Sequence, residues 1–457
     1  MPFIPNTDYD RAQQLKRIGV ASFEDLLKDI PSSARIQREL KLPPALSESE
    51  LMREMSQLAN ENQSLTCFAG GGVYDHFIPS AVWSVVMRPE FLTAYTPYQP
   101  EVAQGTLQVI YEFQSHICRL TGMDVANASM YDGASACAEA VLTALSVTKR
   151  KKIIFSETLS PMYRQVSETY ARGFQAEFSL LPHSDGVSDL SRLADMADDQ
   201  TACFVVSQPN FFGCLEDIER AVEIMHSVGA MLIVAADPIS LALLNAPGDQ
   251  GADIVVGEGQ PLGIPLSFGG PLVGFFSVKK KLIRKLPGRL VARTLDVDGK
   301  VGFTLTLQTR EQHIKRAKAT SNICTNQALC ATAVTVYLSL IGKQGLKKVA
   351  DLCLERAQYA AEKLSELEGF ELAFAQPYHR EFVLRCPAPA SELVGKLCER
   401  GILAGVELGR FYEGMDDLLL IAFTEKRCYE EIDQLVAALS AASKNSVHAQ
   451  HEPQGCA

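Results

Sequence analysis

Met231-Leu-Ile-Val-Ala-Ala-Asp237 is a wholly apolar run closed by a carboxylate, and Asp253-Ile-Val-Val256 repeats the pattern before the glycine-rich Gly257-Glu-Gly-Gln260-Pro-Leu-Gly-Ile-Pro-Leu-Ser-Phe-Gly-Gly270. Short runs apolar on both sides read as strands covered on both faces, the mark of a parallel sheet. Working outward, helical patterns over 136–147, 161–172, 190–197 and 218–228 alternate with apolar runs over 152–155, 176–181, 202–206 and 231–236. Strands over 253–256 and 272–278 follow. Such alternation predicts an α/β domain.

The flanks differ. Residues 1–62 read as a helical arm, with Ser47 and Glu50 in a capping box ahead of Leu51, Met52, Met55 and Leu58. The large α/β domain is expected over 63–311. A linker helix over 327–340 opens a smaller α+β domain spanning 312–444, with helices near 351–367, 391–400 and 426–442. Its strands are predicted over 370–374, 381–384, 402–406 and 418–422, and 445–457 is expected to be a flexible tail. With 47% apolar and 21% charged residues over 457 positions, the chain is neither disordered nor fibrous.

The 43 Lys and Arg against 54 Asp and Glu leave a net charge of −11, which argues against nucleic acid as a partner. The basic clusters at 149–152 and 279–281 read as solvated loops or helix ends. No apolar window of 18 residues and no secretory leader is expected, so no membrane span is predicted. The 12 Cys form no C-x-x-C pair and read as reduced thiols, placing the protein in the cytoplasm.

In open α/β sheets, ligands bind beyond the carboxyl ends of the strands. Three features fall there. Asp132, Gly133 and Ser135 precede a helix, where backbone N–H groups and a hydroxyl suit an anion, or where Asp132 or Ser135 simply caps the helix. Asp237 suits the protonated nitrogen of a pyridine ring, or caps the next turn with Pro238 at its first position. The 257–270 loop suits display of a reactive side chain. Phosphate loop, then Asp, then a lysine some two dozen residues on is the layout of the aspartate aminotransferase type of pyridoxal-phosphate fold, fold type I. That fold has a large parallel-sheet domain and a smaller C-terminal α+β domain. Yet Gln260 lies 23 residues beyond Asp237, where the lysine belongs, and 252–271 contains no lysine. A carboxamide is not nucleophilic and forms no Schiff base. Lys279–Lys281 follow the next strand and are expected at the wrong end of the sheet. Two further features remain: the Gly70–Gly72 loop, and Tyr95 and Tyr98 about Pro97, where restricted backbone holds two phenols in place or packs them in a rigid turn.

Longer motifs narrow this reading. Thr-Ala-Tyr-Thr-Pro-Tyr-Gln-Pro-Glu (93–101), Tyr-Glu-Phe-Gln (111–114), Leu-Thr-Gly-Met-Asp-Val-Ala-Asn-Ala-Ser-Met-Tyr-Asp-Gly-Ala (120–134), Gln-Pro-Asn (208–210) and Gly-Ile-Pro-Leu-Ser-Phe-Gly-Gly-Pro (263–271) resemble the P-protein of the glycine cleavage system. So do Arg-Glu-Gln-His-Ile (310–314) and Lys-Ala-Thr-Ser-Asn-Ile-Cys-Thr-Asn-Gln (318–327). Within that family the chain is similar to the alpha chains, subunit 1, of the two-chain bacterial form. The resemblance implies decarboxylation of glycine with pyridoxal phosphate and transfer of the aminomethyl group to the lipoyl arm of the H-protein. It implies that a beta chain, joined to this one in an alpha2-beta2 assembly, carries the cofactor and its Schiff-base lysine, so Gln260 is expected here.

Asp132, Gly133, Ser135 and Asp237 then become a relic cofactor site. No residue of this chain is assigned outright to catalysis. Tyr95 and Tyr98, with Gly70–Gly72, are the candidates for reaching a shared site, and Arg310, His313 and Lys318 form a cationic stretch for substrate carboxylate, phosphate or interface pairing. Two rivals stand beside this reading: a self-sufficient pyridoxal enzyme using another lysine, and a non-catalytic scaffold that docks the H-protein.

Overall fold

The computed structural model describes residues 5–36, 38–319, 321–324 and 326–450, with side chains to 444. It divides into Met1–Gln63 and Ser64–Ala457. In the first unit, helices Asp8–Ile18 and Glu48–Asn60 each open with a reciprocal capping box, Thr7 with Asp10 and Ser47 with Glu50. The second is the box expected from the sequence. Neither helix buries a residue, and Leu51, Met52, Met55 and Leu58 are all exposed. A contiguous apolar helix face left open marks an interaction surface.

The second unit is built on a seven-stranded sheet. Its strands are β1 Val125–Ala126, β2 Lys152–Ser156, β3 Glu177–Leu181, β4 Thr201–Gln208, β5 Met231–Ala236, β6 Ile254–Glu258 and β7 Gly274–Val278, in the spatial order β1-β7-β6-β5-β4-β2-β3. Helices Gly133–Thr148, Pro161–Ala171, Leu190–Met196 and Ile218–Ser227 make the crossovers. Strands β2 to β6 are parallel. The wholly parallel sheet expected from the sequence needs one correction: β7 runs antiparallel to both β6 and β1. No crossover helix separates β6 from β7, and a chain that returns directly must pair antiparallel. Every residue of β4 to β7 is buried, and successive side chains serve opposite faces. Phe204, Val206, Leu232 and Val234 join one core, while Val205, Ile233 and Val256 join another with Ala136, Ala140 and Ala144.

The basic clusters are structural. Arg150 donates to the carbonyls of Thr201 and Val228 at 3.0 and 2.8 Å, and Lys152 meets Asp198 at 2.7 Å. Lys281 pairs with Asp253 at 3.0 Å, at the start of β6 and the opposite end from Glu258. A hairpin, Leu290–Leu295 with Val301–Thr306, was not expected. Its Asp298-Gly299 turn between apolar runs was the available signal.

Helix Ala328–Ser365 joins the two helices expected over 327–340 and 351–367 across a break at Gly342, where φ is 60° and ψ −174°. By length and composition it is apolar enough to cross a membrane, contrary to the sequence reading, but half of that window is buried. Its first part supplies Ala331, Val334 and Tyr337 to the core beneath the sheet. The smaller domain is an antiparallel sheet in the order Glu371–Leu372, Glu381–Arg385, Leu418–Ala422, Val406–Glu407. The single strand expected over 402–406 is therefore split, because Ile402–Leu403 pairs elsewhere, in parallel with Thr66–Cys67. That pairing, and the burial of Phe68 among Phe382, Leu419 and Phe423, places residues 66–68 in the smaller domain and not in the large one. The last helix, Tyr429–Gln450, passes the expected break at 445, and 451–457 lie outside the described residues.

Glu139 is buried on the inner side of helix Gly133–Thr148, and burial pushes its carboxyl up from 4.5 to about 7. A raised carboxyl contributes its full stability below pH 4.5 and loses it as pH climbs through 7. Glu139→Gln removes the ionisation, so we expect a variant more stable at pH 8 by about 3 kcal/mol and nearly unchanged at pH 4.5. Urea unfolding at the two pH values reads the difference.

Candidate functional site

The carboxyl ends of β4, β5 and β6 face the smaller domain across a cleft lined by Gly71, Tyr74, Tyr163, Asp237, Glu258 and Arg380. The free space is about 70 Å³. Sites that enclose drug-sized ligands run to roughly 300–1,000 Å³.

The expected anion cup is present and filled from within. Asp132 caps helix Gly133–Thr148, accepting from the Ser135 N–H at 2.7 Å, while the Ser135 hydroxyl donates back to the Asp132 carbonyl at 3.0 Å. The next N–H, that of Gly133, donates to Glu258 Oε2 at 2.9 Å. Glu258 Oε1 accepts from the N–H groups of Gln260 and Val273, at 2.9 and 3.0 Å. A carboxylate of the chain thus sits where a phosphate would meet the helix terminus. Burial pushes its pKa up to about 7, against the pull of those three amides. Tyr163 closes the cup further, since a Cβ on Gly133 would overlap its hydroxyl.

Gln260 is fully buried and its carboxamide is fully engaged. Oε1 accepts from the Tyr74 N–H at 2.9 Å, and Nε2 donates to the carbonyls of Tyr74 and Ile264 at 2.9 and 2.7 Å. This is a strap between two loops, using one acceptor and both donors. Asp237 meets Arg380 Nη2 at 2.7 Å, with His379 at 4.0 Å, and also accepts from the Ile239 N–H at 3.2 Å. Arg380 lies 3.4 Å from the centre of the Tyr74 ring and places Nη1 2.6 Å from His76 Nε2. Since a guanidinium only donates, His76 Nε2 accepts, and its Nδ1–H donates to Glu425 at 2.6 Å. Glu381 accepts from the Tyr74 hydroxyl at 2.6 Å and from the Gly71 N–H at 3.0 Å.

These residues do not fit pyridoxal phosphate. The phosphate position holds Glu258, the lysine position holds a strapped carboxamide, and the carboxylate for a ring nitrogen is neutralised by Arg380. Glu258, Arg380, Glu381, Tyr74 and Tyr163 had escaped the sequence reading. Gly257-Glu258-Gly259 was a usable signal, because a charge between glycines after an apolar strand must face something specific.

The outward candidates separate. Tyr95 is 76% exposed and Tyr98 45% exposed. Arg289 Nη2 donates to the Tyr98 hydroxyl oxygen at 2.7 Å, and the His313 ring stands edge-on to Tyr98 with centroids 5.7 Å apart. Arg310 leaves the expected cationic stretch: it is buried and donates to the carbonyls of Leu286, Leu307 and Gly288, so its charge is used on backbone. His313 and Lys318 remain outward. The Gly70–Gly72 loop, expected to reach a partner, lies instead in this chain's own cleft. Gly71 is bound to Glu381 there, and Gly70 has no room for a Cβ beside Ala422 and Tyr74.

Removing one member of a buried ion pair leaves an unpaired charge and costs about 3–5 kcal/mol. Arg380→Met should lose that much in denaturant unfolding, and adding Asp237→Asn should recover part of it. A loss below about 1 kcal/mol, the surface-pair range, would contradict the buried geometry.

Comparison with known proteins gives a consistent picture. The glycine cleavage system P-protein family matches residues 1–439. The probable glycine dehydrogenase (decarboxylating) subunit 1 of Desulforamulus reducens is 52% identical over 446 residues, covering 97% of this chain and 100% of that one. A crystal structure of glycine decarboxylase (P-protein) of the glycine cleavage system, in inhibitor-bound form, superposes with a TM-score of 0.89 at 41% identity, over 97% of this chain and 100% of that one. A C-DES variant with glycine covalently linked to its PLP cofactor aligns at a TM-score of 0.61 and 16% identity, over 85% and 98%, which shows the fold alone.

Proposed function

The chain belongs to the glycine cleavage system P-protein family, and from that premise we propose a division of labour within the enzyme. It is the subunit 1 type of a decarboxylating glycine dehydrogenase. Its partner subunit holds the pyridoxal phosphate, and this chain completes the site from outside. The observation that carries this reading is the Glu258–Gln260 segment: three backbone amides fix a carboxylate in the anion cup, and a carboxamide stands in place of the Schiff-base lysine.

In this reading Asp132, Gly133, Ser135 and Asp237 form a relic site whose polar groups are taken up within this chain, Asp132 by Ser135, Gly133 by Glu258 and Asp237 by Arg380. Tyr95 and Tyr98 supply hydroxyls to the partner's site, in an alpha2-beta2 assembly. Glycine is the substrate, and the lipoylated H-protein receives the aminomethyl group. The free cysteines of the described residues fit a reducing, cytoplasmic setting.

Tyr95→Phe and Tyr98→Phe, each tested in the enzyme assembled with its partner subunit and the H-protein, measure the site-completing role. We expect at least one to lower kcat for carbon dioxide release from glycine about 10-fold to 100-fold while assembly is retained, because a lost hydrogen-bond donor at a reacting centre has effects of that order. Full activity in both variants would leave this chain a scaffold.

A further inference from the structure

Arg289 lies directly before the hairpin and is buried, although its guanidinium reaches a half-exposed tyrosine. Nη1 donates to the Cys324 carbonyl and Nη2 to the Tyr98 oxygen. Nε faces Glu311 Oε2 at 3.5 Å, and Glu311 Oε2 in turn lies 3.7 Å from His313 Nδ1. Glu311 is buried as well, and burial raises its pKa against the pull of Arg289 and His313. Among the described residues, neither Arg289 Nε nor Glu311 Oε1 has a hydrogen-bond partner. Holding two buried charges with unmet hydrogen-bonding capacity is unfavourable, and apolar side chains would brace the same loops more cheaply.

The bond between Arg289 and Tyr98 has a chemical consequence. A guanidinium has no acceptor, so the Tyr98 oxygen accepts and its own proton is not taken up by Arg289. The hydroxyl proton is therefore open to a second acceptor, and the side chain that carries it is 45% exposed. Arg289 holds one side of the phenol and the His313 ring edge limits its rotation on another.

We propose that Arg289, backed by Glu311, is a positioning residue for the shared glycine site: it fixes the Tyr98 hydroxyl as a hydrogen-bond donor aimed at an acceptor atom of the reacting glycine held on the partner subunit. The inference rests on the reading that Tyr98 reaches that site.

A double-mutant cycle tests it in the complete enzyme with the partner subunit and the H-protein. Tyr98→Phe, Arg289→Gln and the double variant are compared for kcat and KM in carbon dioxide release from glycine, with assembly checked by gel filtration. A residue that acts through another shows strongly non-additive effects. We expect each single change to lower kcat about 10-fold to 100-fold with KM little altered, and the double variant to be no worse than the more damaged single one. Arg289→Lys, which keeps a donor but not the planar fork, should recover part of kcat, and it replaces Arg289→Gln in the cycle should that variant fail to assemble.

Losses that multiply in the double variant, or a silent Arg289→Gln beside a damaging Tyr98→Phe, overturn the Arg289 assignment alone. A loss confined to KM in assembled variants, or an Arg289→Lys variant that also fails to assemble, makes Arg289 a structural brace and also overturns it. A silent Tyr98→Phe in an assembled enzyme overturns both the assignment and the reading beneath it.

Discussion

Glu258 sets the character of the cleft. Its carboxylate ends β6 and accepts from three backbone amides belonging to separate segments, the start of helix Gly133–Thr148, the 260 loop and the entry to β7. Helix termini exposed in a cleft normally take water or a ligand. Here a carboxyl group attached to the chain accepts from them instead. The neighbouring groups follow the same rule, since Gln260 uses its carboxamide on Tyr74 and Ile264, and Asp237 is matched by Arg380. What remains is a boundary between the two domains of unit Ser64–Ala457 in which most polar groups are matched within the chain, while His379 Nδ1 and Arg380 Nε and Nη2 keep no hydrogen-bond partner among the described residues.

That inward closure moves attention to the outside of the molecule. The exposed Tyr95 and Tyr98, the hairpin with exposed Leu295, Val297 and Val301, and the apolar face of helix Glu48–Asn60 are surfaces a lone chain would not present to water. With a net charge of −11, binding to another protein is better served by apolar contact and local cationic groups such as His313 and Lys318 than by overall attraction.

Much of this was legible in the residues. Apolar strands between helices gave the sheet, the Asp237 to Gln260 spacing gave the fold type, and Gln260 marked the position where the lysine is missing. The rest depended on contacts distant in sequence. Arg380 meets Asp237, and Glu258 meets Gly133, across intervals no local pattern reports. Arg310 looked like a surface cation because composition carries no information on direction, whereas the fold turned it onto carbonyls. The antiparallel β7 and the pairing of Thr66–Cys67 with Ile402–Leu403 are likewise tertiary choices. The hairpin at 290–306 is encoded locally, by the Asp298-Gly299 turn between two apolar runs.

The central claim is that cofactor attachment and site completion lie on different chains. Borohydride reduction of the native two-subunit enzyme, followed by peptide mapping of the reduced pyridoxyl group, tests it most directly. The account predicts the label on a lysine of the partner subunit and none on this chain, whose 257–270 loop carries Gln260. A stoichiometric pyridoxyl-lysine in this chain would contradict it.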